Sequence, residues 1–360
     1  MKPRVLFAIL MALAVTLTGG DPAVAASAKC ADALKTKACK SAPTAQAGKK
    51  QVPIPKKQAS KTKAAKQGKI AGVKHDLAAK RQAARVRYPY PDDPITLRLD
   101  EHGQPRLSSS AFYVTNQKTG EVLLKKNERL VMPIASITKL MTAIVVLESG
   151  SSLREMLTIS DDDVDYLKGT NSRLGVGTRL TREEMLQLAL MSSENRAASA
   201  LARYYPGGRA AFIDAMNAKA SLIGMNESRF YDSTGLTPRN VSSPRDLSRL
   251  VAAASRYPQI REFSTTIERY FYINGNLKRF GNTNGLVKSP DWIISLSKTG
   301  YISEAGRCLV MQVWMQDQPL VIVLMDANGR NMRIVDAQRV RLWLEERPER
   351  LATTRREPQG

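Results

Sequence analysis

Residues 133–147 read PIASITKLMTAIVVL. From Ser136 to Leu147 the run is almost wholly apolar, which predicts a helix in the centre of the fold rather than one on its surface. A spacing of three residues places Ser136 and Lys139 on one face of that helix, with their side chains adjacent. The stretch therefore predicts both the centre of the core and a polar pair at its edge.

Ser136 and Lys139 can supply a nucleophile and a base without histidine. A lysine at the edge of an apolar helix is partly desolvated, which lowers the cost of its neutral form. The positive end of the helix dipole favours negative charge that develops on the Ser136 oxygen. A serine that merely caps a helix beside a surface lysine has the same spacing, so this motif alone is weak evidence of catalysis.

The sequence contains two histidines, His75 and His102, and three cysteines. The histidines are not one helical turn apart, so a zinc site of the HExxH kind is excluded, and no CxxC pair is present. Neither histidine lies in a segment that indicates a Ser-His-Asp triad. We therefore expect no cofactor and no metal.

The surrounding pattern predicts a mixed α/β fold of the α+β type. Two strands, a helical block, several strands and a closing helix follow one another, so the first and last strands are expected to share one sheet with helices against it. The predicted strands are Ser110–Asn116, Glu121–Lys125, Arg269–Ile273, Leu277–Phe280, Ile293–Lys298, Cys308–Met315 and Leu320–Met325. In the helical block, Thr181 with Glu184 predicts a capping box, and Ser243 followed by Pro244 predicts another helix start.

Two further motifs follow Ser136-Ile137-Thr138-Lys139. Ser193-Glu194-Asn195 falls between two predicted helices, and Lys298-Thr299-Gly300 is predicted to end a strand. Ser-x-x-Lys, Ser-x-Asn and Lys-Thr-Gly in this order are the signature set of penicillin-recognising serine enzymes. A second Lys-Thr-Gly triplet, Lys118–Gly120, precedes the nucleophile and is interpreted as a hairpin turn without a catalytic role.

Residues from about 105 to 346 resemble the low-molecular-mass penicillin-binding proteins, in particular the D-alanyl-D-alanine endopeptidases of the penicillin-binding protein 7 type. The resemblance implies the serine β-lactamase/DD-peptidase fold, in which a five-stranded antiparallel sheet is flanked by helices and a helical cluster. It also implies cleavage of D-alanyl bonds in peptidoglycan stem peptides and cross-links, and covalent inhibition by β-lactams. The stretches that carry it are residues 133–142, 191–198, 234–236, 239–243 and 297–302.

Physical need and the resemblance assign the same roles to the reacting groups. Ser136 attacks the D-Ala carbonyl carbon and becomes acylated, and Lys139 takes its proton. Ser193 relays a proton to the leaving amine, while Lys298 holds Ser193 in place and adds positive potential. Asn195 hydrogen-bonds the substrate amide and Lys139.

Three consecutive strand residues are expected to bind the substrate. Thr299 binds the substrate carboxylate, and Gly300 lets the substrate backbone approach the strand closely. The backbone N–H groups of Tyr301 and Ser136 form an oxyanion hole, in which each donor contributes ~3 kcal/mol to stabilising the transition state.

The chain carries 55 Lys and Arg against 33 Asp and Glu. Residues 1–88 hold 19 of these cations and three aspartates, so the remaining residues hold 36 against 30. The basic character belongs mainly to the N-terminal part, and it does not indicate a nucleic-acid partner for the folded part.

Composition divides the chain into four predicted segments. Residues 1–25 are interpreted as a signal peptide, because Lys2 and Arg4 precede a short apolar run and a small-x-small cleavage pattern. The alternative is an uncleaved membrane anchor. The expected location is the periplasm. The other segments are a basic disordered segment (26–88), a catalytic domain (89–348) and a tail (349–360).

The basic segment has two open interpretations. Its Lys, Ala, Gln, Ser and Pro content cannot bury enough surface to offset the ordering entropy, which predicts disorder. It either tethers the protein electrostatically to anionic wall or membrane polymers, or acts as a solvated spacer. Cys30 and Cys39 could close a small loop in an oxidising compartment, whereas Cys308 is expected to be a buried free thiol.

Four functions remain open at this stage. A DD-endopeptidase, a DD-carboxypeptidase and a β-lactamase would use the same residues, and a catalytically idle wall-binding protein would need a broken motif. The short stretch after the last helix favours the endopeptidase. A β-lactamase needs an added base for fast deacylation. Asp161–Asp163 is a candidate by charge alone and is interpreted as a solvated helix cap.

Overall fold

The computed structural model describes residues 95–351. Within this range no helix is long and apolar enough to cross a membrane. Several predictions fall outside the described residues: the signal peptide (1–25), the basic segment (26–88), the boundary at residue 89, residues 352–360 of the tail, His75, Cys30 and Cys39.

The described residues form eleven strands. Five of them make one antiparallel sheet in the order β2-β1-β11-β10-β9, so the first and last strands do share one sheet, as predicted. The short strands pair as β3 with β6, β4 with β5 and β7 with β8. Their bounds are β1 Ser109–Asn116, β2 Val122–Lys126, β3 Met132–Pro133, β4 Met156–Thr158, β5 Arg179–Thr181, β6 Val241–Ser242, β7 Glu268–Ile273, β8 Asn276–Gly281, β9 Ile293–Ile302, β10 Gly306–Met315 and β11 Gln318–Ala327.

The same range contains seven α-helices and four short 3₁₀ helices. The α-helices are α1 Thr138–Glu148, α2 Arg182–Met191, α3 Asn195–Arg203, α4 Gly208–Leu222, α5 Pro244–Ala254, α6 Pro258–Thr265 and α7 Met332–Glu345. The 3₁₀ helices are Ala135–Ile137, Asp161–Asp163, Gly285–Lys288 and Pro348–Arg350.

Strand β11 shows how the sheet separates two cores. Successive side chains point to opposite faces of a strand. Val321 and Val323 accordingly belong to the large cluster built around α1 to α6, whereas Ile322 and Leu324 belong to a second cluster. Trp343 of α7 fills that second cluster and is fully buried. The five-stranded sheet is therefore covered by helices on both faces.

Local signals placed most helices correctly. Thr181 and Glu184 form the predicted capping box at the start of α2. Ser243 accepts a hydrogen bond from the backbone N–H of Asp246, and Pro244 is the first residue of α5. Cys308 is a buried free thiol. Helix α6 and the pairs β3–β6 and β4–β5 were not predicted, because their segments are short and lack a regular apolar period.

Two expectations about local structure are wrong. Lys298-Thr299-Gly300 does not end its strand, since β9 continues to Ile302. The expectation that the acidic run Asp161–Asp163 is solvated is wrong for Asp163. This residue does form a capping box with Ser160, but it is buried and forms ion pairs with Arg203 and Arg209. Both arginines come from helices further along the chain, which the local charge pattern does not reveal. A carboxylate held by two guanidinium groups is a poor candidate for a general base.

Candidate active site

Ser136 lies in the 3₁₀ turn that precedes α1, so the α-helix begins two residues later than the sequence predicts. The turn begins at Ala135, whose φ of 47° is unusual for a residue with a side chain. Gly235 packs directly on this residue, and a Cβ at Gly235 would come within 1.9 Å of the Ala135 carbonyl oxygen. The Thr138 hydroxyl donates to the same oxygen at 2.7 Å. The surroundings therefore hold the serine in a strained turn, as at many functional sites.

Lys139 is fully buried at the start of α1. Its Nζ lies 2.8 Å from Ser136 Oγ, 2.7 Å from Asn195 Oδ1 and 2.7 Å from the carbonyl oxygen of Thr234. Burial lowers the pKa of Lys139 from 10.5 to about 7, although the carboxylates of Asp232 and Glu194 act in the opposite direction.

These contacts suit a neutral amine, which has two N–H donors and a lone pair. The carbonyl oxygens of Asn195 and Thr234 can only accept, so they take both donors. The Ser136 hydroxyl can donate, and it faces the remaining position on the amine at 2.8 Å. The arrangement can remove the hydroxyl proton of Ser136.

Asn195 opens α3 and is oriented from its other side by the loop after Asp163. Its Nδ2 donates to Thr170 Oγ1 at 3.0 Å. The Thr170 hydroxyl donates to Asp165 Oδ2 at 2.6 Å, and Asp165 also accepts from the backbone N–H of Thr170. Because these hydrogen bonds engage the Asn195 Nδ2, its Oδ1 is the amide atom that faces Lys139.

Ser193 lies in the turn between α2 and α3, with a φ of 61°. Lys298, buried in β9, donates from its Nζ to Ser193 Oγ at 2.9 Å and to the Thr299 carbonyl oxygen at 3.0 Å. Burial lowers the pKa of Lys298 well below its usual value, and the positive charges of Lys139 and Arg333 lower it further. The structure thus brings a second serine and lysine together, next to the first pair.

Thr299, Gly300 and Tyr301 line a cleft of about 420 Å³ together with Ser136, Ser193 and Asn195. Gly300 was expected to let the substrate backbone approach the strand, but in the structure the space beside it is taken by the serine turn. A Cβ there would lie 2.9 Å from the Ile134 carbonyl oxygen and 3.3 Å from the Ser136 nitrogen, so Gly300 lets the serine turn approach β9. All eight predicted site residues lie at or around this cleft.

Sequence reasoning missed several residues of the site. Thr170, Thr283 and Arg333 line the same cleft, and Thr299 Oγ1 donates to Thr283 Oγ1 at 2.7 Å. Asp232 accepts from the backbone N–H groups that form the turn at Gly235. Each belongs to a loop or to a distant element, so local spacing gives no signal for them.

The described residues show neither a histidine near the cleft nor a group of side chains placed to bind a metal ion. His102 lies in a turn, where its backbone N–H donates to Asp100, and its side chain is exposed. Within residues 95–351 no group of three or more His, Cys, Asp or Glu side chains is placed to hold a metal ion.

A serine 2.8 Å from a buried lysine, with a second serine-lysine pair at the edge of an antiparallel sheet, is the arrangement expected of a serine hydrolase with the DD-peptidase fold. The sequence model of the D-alanyl-D-alanine carboxypeptidase family matches residues 99–329. The chain belongs to this family of serine-type D-Ala-D-Ala peptidases. The predicted fold and class of enzyme are thereby confirmed.

Known relatives agree with this assignment. A Pseudomonas aeruginosa protein named D-alanyl-D-alanine endopeptidase is 48% identical over 245 residues, which cover 67% of this chain and 79% of that protein. The crystal structure of the Streptomyces K15 DD-transpeptidase matches with a TM-score of 0.62 at 29% identity, covering 67% of this chain and 98% of that one. Penicillin-binding protein D2 of Listeria monocytogenes in its ampicillin-bound form matches with a TM-score of 0.57 at 28% identity, covering 67% and 99%.

Proposed function

We propose that the protein is a serine DD-endopeptidase that hydrolyses D-alanyl-diaminopimelate cross-links of peptidoglycan through an acyl-enzyme at Ser136. The observation that carries the proposal is the buried Lys139 amine, 2.8 Å from Ser136 Oγ and with a pKa of about 7. An amine with this pKa is substantially neutral at physiological pH and is therefore a competent general base.

Acylation starts when Ser136 Oγ attacks the carbonyl carbon of D-Ala and its proton passes to Lys139. The carbonyl oxygen gains negative charge and is stabilised by the backbone N–H groups of Ser136 and Tyr301. The leaving amine takes a proton from the Ser193 hydroxyl as the C–N bond breaks, and Ser193 is reprotonated by the proton that Lys139 took from Ser136, which returns Lys139 to its neutral form. Lys298, 2.9 Å from Ser193 Oγ, holds that hydroxyl in place. Water then hydrolyses the ester and returns a proton to Ser136.

Two positively charged residues, Lys298 and Arg333, lie near the position proposed for the substrate carboxylate next to the scissile bond. Thr299 and Arg333 line the cleft, and the Lys298 Nζ donates to the Thr299 carbonyl oxygen at 3.0 Å. A bound carboxylate favours the charged form of Lys298 and offsets the burial that lowers its pKa. The negative charge of the bound substrate thereby balances the positive charge of Lys298.

Covalent labelling tests the nucleophile and the base. Ser136→Ala should abolish labelling by a fluorescent penicillin as well as hydrolysis. Lys139→Arg should fold and yet label very slowly, because arginine keeps its charge at neutral pH. Labelling that survives in Ser136→Ala, or near-normal labelling of Lys139→Arg, would contradict these roles.

The choice of bond is tested with muropeptides. The 48% identical relative is named an endopeptidase, whereas the family as a whole is described as D-alanyl-D-alanine carboxypeptidase, which is the second candidate function. Mass spectrometry after incubation with the purified protein separates the two. Conversion of cross-linked dimers into monomers supports the endopeptidase, and conversion of pentapeptides into tetrapeptides without loss of dimers supports the carboxypeptidase.

We further propose that the protein works in the periplasm and that its N-terminal basic segment binds anionic wall or membrane polymers. Residues 29–87 carry 17 Lys and Arg against two Asp. Such attraction is screened over a Debye length of ~8 Å at physiological ionic strength. Deletion of residues 29–87 should weaken co-sedimentation with sacculi at low salt without changing turnover of a small soluble stem peptide. Equal co-sedimentation of both proteins at low salt would identify the segment as a spacer.

A further inference from the structure

The proposed function fixes the direction in which a substrate lies along β9. Within the described sheet β9 is an edge strand, so an extended peptide can pair with its free side. The carboxylate beyond the scissile bond lies at Thr299, and the attacked carbonyl lies between Ser136 and Tyr301. The residues that precede D-Ala in the donor peptide must then continue past Tyr301, towards the turn that joins β9 to β10.

A second cavity lies in that direction. Tyr301 lines both this cavity and the catalytic cleft, so the two adjoin at that residue. The cavity measures about 520 Å³, and its charged lining residues are Arg307, Asp326 and Arg330. The chemistry proposed above uses none of these three side chains.

The two arginines are available to an anion. The Arg307 guanidinium stacks over the Tyr301 ring at 4.3 Å and is held in place by this contact, and Arg330 is exposed. Within residues 95–351 neither arginine forms an ion pair with a carboxylate. A guanidinium group that forms no ion pair with a carboxylate of the protein can bind the carboxylate of a ligand through paired hydrogen bonds.

Asp326 adds the opposite charge at a fixed place. Its φ is 50°, and its Oδ2 accepts a hydrogen bond from the Ser110 hydroxyl at 2.8 Å. A Cβ at Gly306 would lie 2.1 Å from Asp326 Oδ1, so this glycine leaves room for the carboxylate at the cavity wall. The cavity thus presents two cations and one anion to a ligand.

We propose that this cavity is a donor-strand subsite for the zwitterionic end of a diamino acid side chain, as carried by the diaminopimelate that precedes D-Ala. Arg307 and Arg330 bind the free carboxylate of that end, and Asp326 binds its ammonium group. A lysine at the same position of the donor has the ammonium group and lacks the carboxylate. The subsite therefore discriminates between the two kinds of stem peptide, and this inference rests on the proposed DD-peptidase function.

The test uses soluble cross-linked peptide dimers that share one acceptor. Their donors differ only in the residue before D-Ala, which is meso-diaminopimelate, L-lysine or 2-aminopimelate. We expect the full-length protein to prefer diaminopimelate over lysine in kcat/KM by ~10-fold, the value of a charge-assisted hydrogen bond. Arg307→Gln/Arg330→Gln should remove this preference and leave the lysine dimer unaffected. Asp326→Asn should abolish the preference for diaminopimelate over 2-aminopimelate, and asparagine tolerates the positive φ.

Arg154→Gln is the control, since it removes an exposed positive charge, like that of Arg330, outside the cavity and should keep the preference. Labelling by a fluorescent penicillin, which lacks the side chain in question, reports on folding and on the nucleophile. Equal kcat/KM for all three dimers in the wild-type protein, or an unchanged preference in the double variant, would overturn the subsite. Absence of penicillin labelling and of all hydrolysis in the wild-type protein would overturn the proposed function as well.

Discussion

The triplet Lys-Thr-Gly occurs twice in this chain, and the structure gives its two copies opposite surroundings. Lys118–Gly120 forms the turn between β1 and β2, where all three residues are exposed and nothing lies within 4 Å of an added Cβ at Gly120. Lys298–Gly300 lies inside β9, where Lys298 is buried and Gly300 is packed against the turn that carries Ser136.

The glycines show most clearly what the difference teaches. Gly120 has a φ of 78°, so the turn requires its conformational freedom. Gly300 lies in extended backbone and is required for close packing instead. We conclude that a Lys-Thr-Gly triplet can take part in catalysis only when it lies in an edge strand beside the turn that carries the serine. The triplet sequence alone does not indicate a catalytic role. Paired substitutions in the two triplets test this conclusion.

The largest contrast is expected between the lysines. Lys298→Ala removes the amine that contacts Ser193 and the cation that faces the substrate carboxylate. The acylation rate should fall by ~10²–10³-fold, as when a preorganised donor is lost from an active site. Lys118→Ala should label at the wild-type rate in a stopped-flow assay with fluorescent penicillin. A similar rate for both variants would show that the second triplet is not catalytic.

Substitution of the two glycines should affect different properties, the acylation rate for Gly300 and the stability of the fold for Gly120. Gly300→Ala pushes against backbone atoms of Ile134 and Ser136, and a displaced nucleophile can cost ~10²-fold in rate. Gly120→Ala should leave acylation unchanged and lower the free energy of unfolding by ~1 kcal/mol, because alanine is strained at positive φ. Urea denaturation monitored by circular dichroism, together with labelling rates, separates the effects. Normal labelling by folded Gly300→Ala would contradict the packing argument.

The threonines are expected to differ by less. Thr299→Val removes a hydroxyl from the carboxylate end of the cleft and should raise KM for a stem peptide by ~10-fold, with kcat less affected. Thr119→Val removes a hydroxyl that accepts from the Glu121 N–H in the turn, so KM should not change. Steady-state kinetics of both variants decide the matter. An effect on kcat alone in Thr299→Val would mean that the hydroxyl does not bind the ground-state substrate.

The smallest expected effect is a shift in the pH profile. Wild-type acylation should rise with pH through an apparent pKa of about 7, because Lys139 acts in its neutral form. The charges of Lys139 and Lys298 repel each other, so Lys298→Gln should raise the pKa of Lys139 and move the profile to higher pH. Lys118→Gln should leave it in place. A shift to lower pH in Lys298→Gln would exclude Lys139 as the titrating base.

Sequence patterns predicted those parts of the fold and site that depend on neighbours in the chain. The order of the predicted strands indicated that the first and last strands share one sheet, and the apolar run after Ser136 indicated the central helix. The three motifs named residues that the fold brings together at one cleft. Asp163 was misinterpreted because its partners Arg203 and Arg209 follow about 40 residues later. Thr170 and Asp232 were missed for the same reason, since their importance arises from contacts made only after folding.

The open side of β9 also bears on solubility. A strand edge that can receive a peptide can in principle pair with a strand of another protein molecule, which is a common route to aggregation. Here the turn that carries Ser136 packs against the middle of the strand at Gly300, and Ser193 contacts it through Lys298. These elements occupy part of the free side of β9 and so restrict its pairing with a strand of another protein molecule. We infer that the turns carrying Ser136 and Ser193 also hinder self-association through this strand.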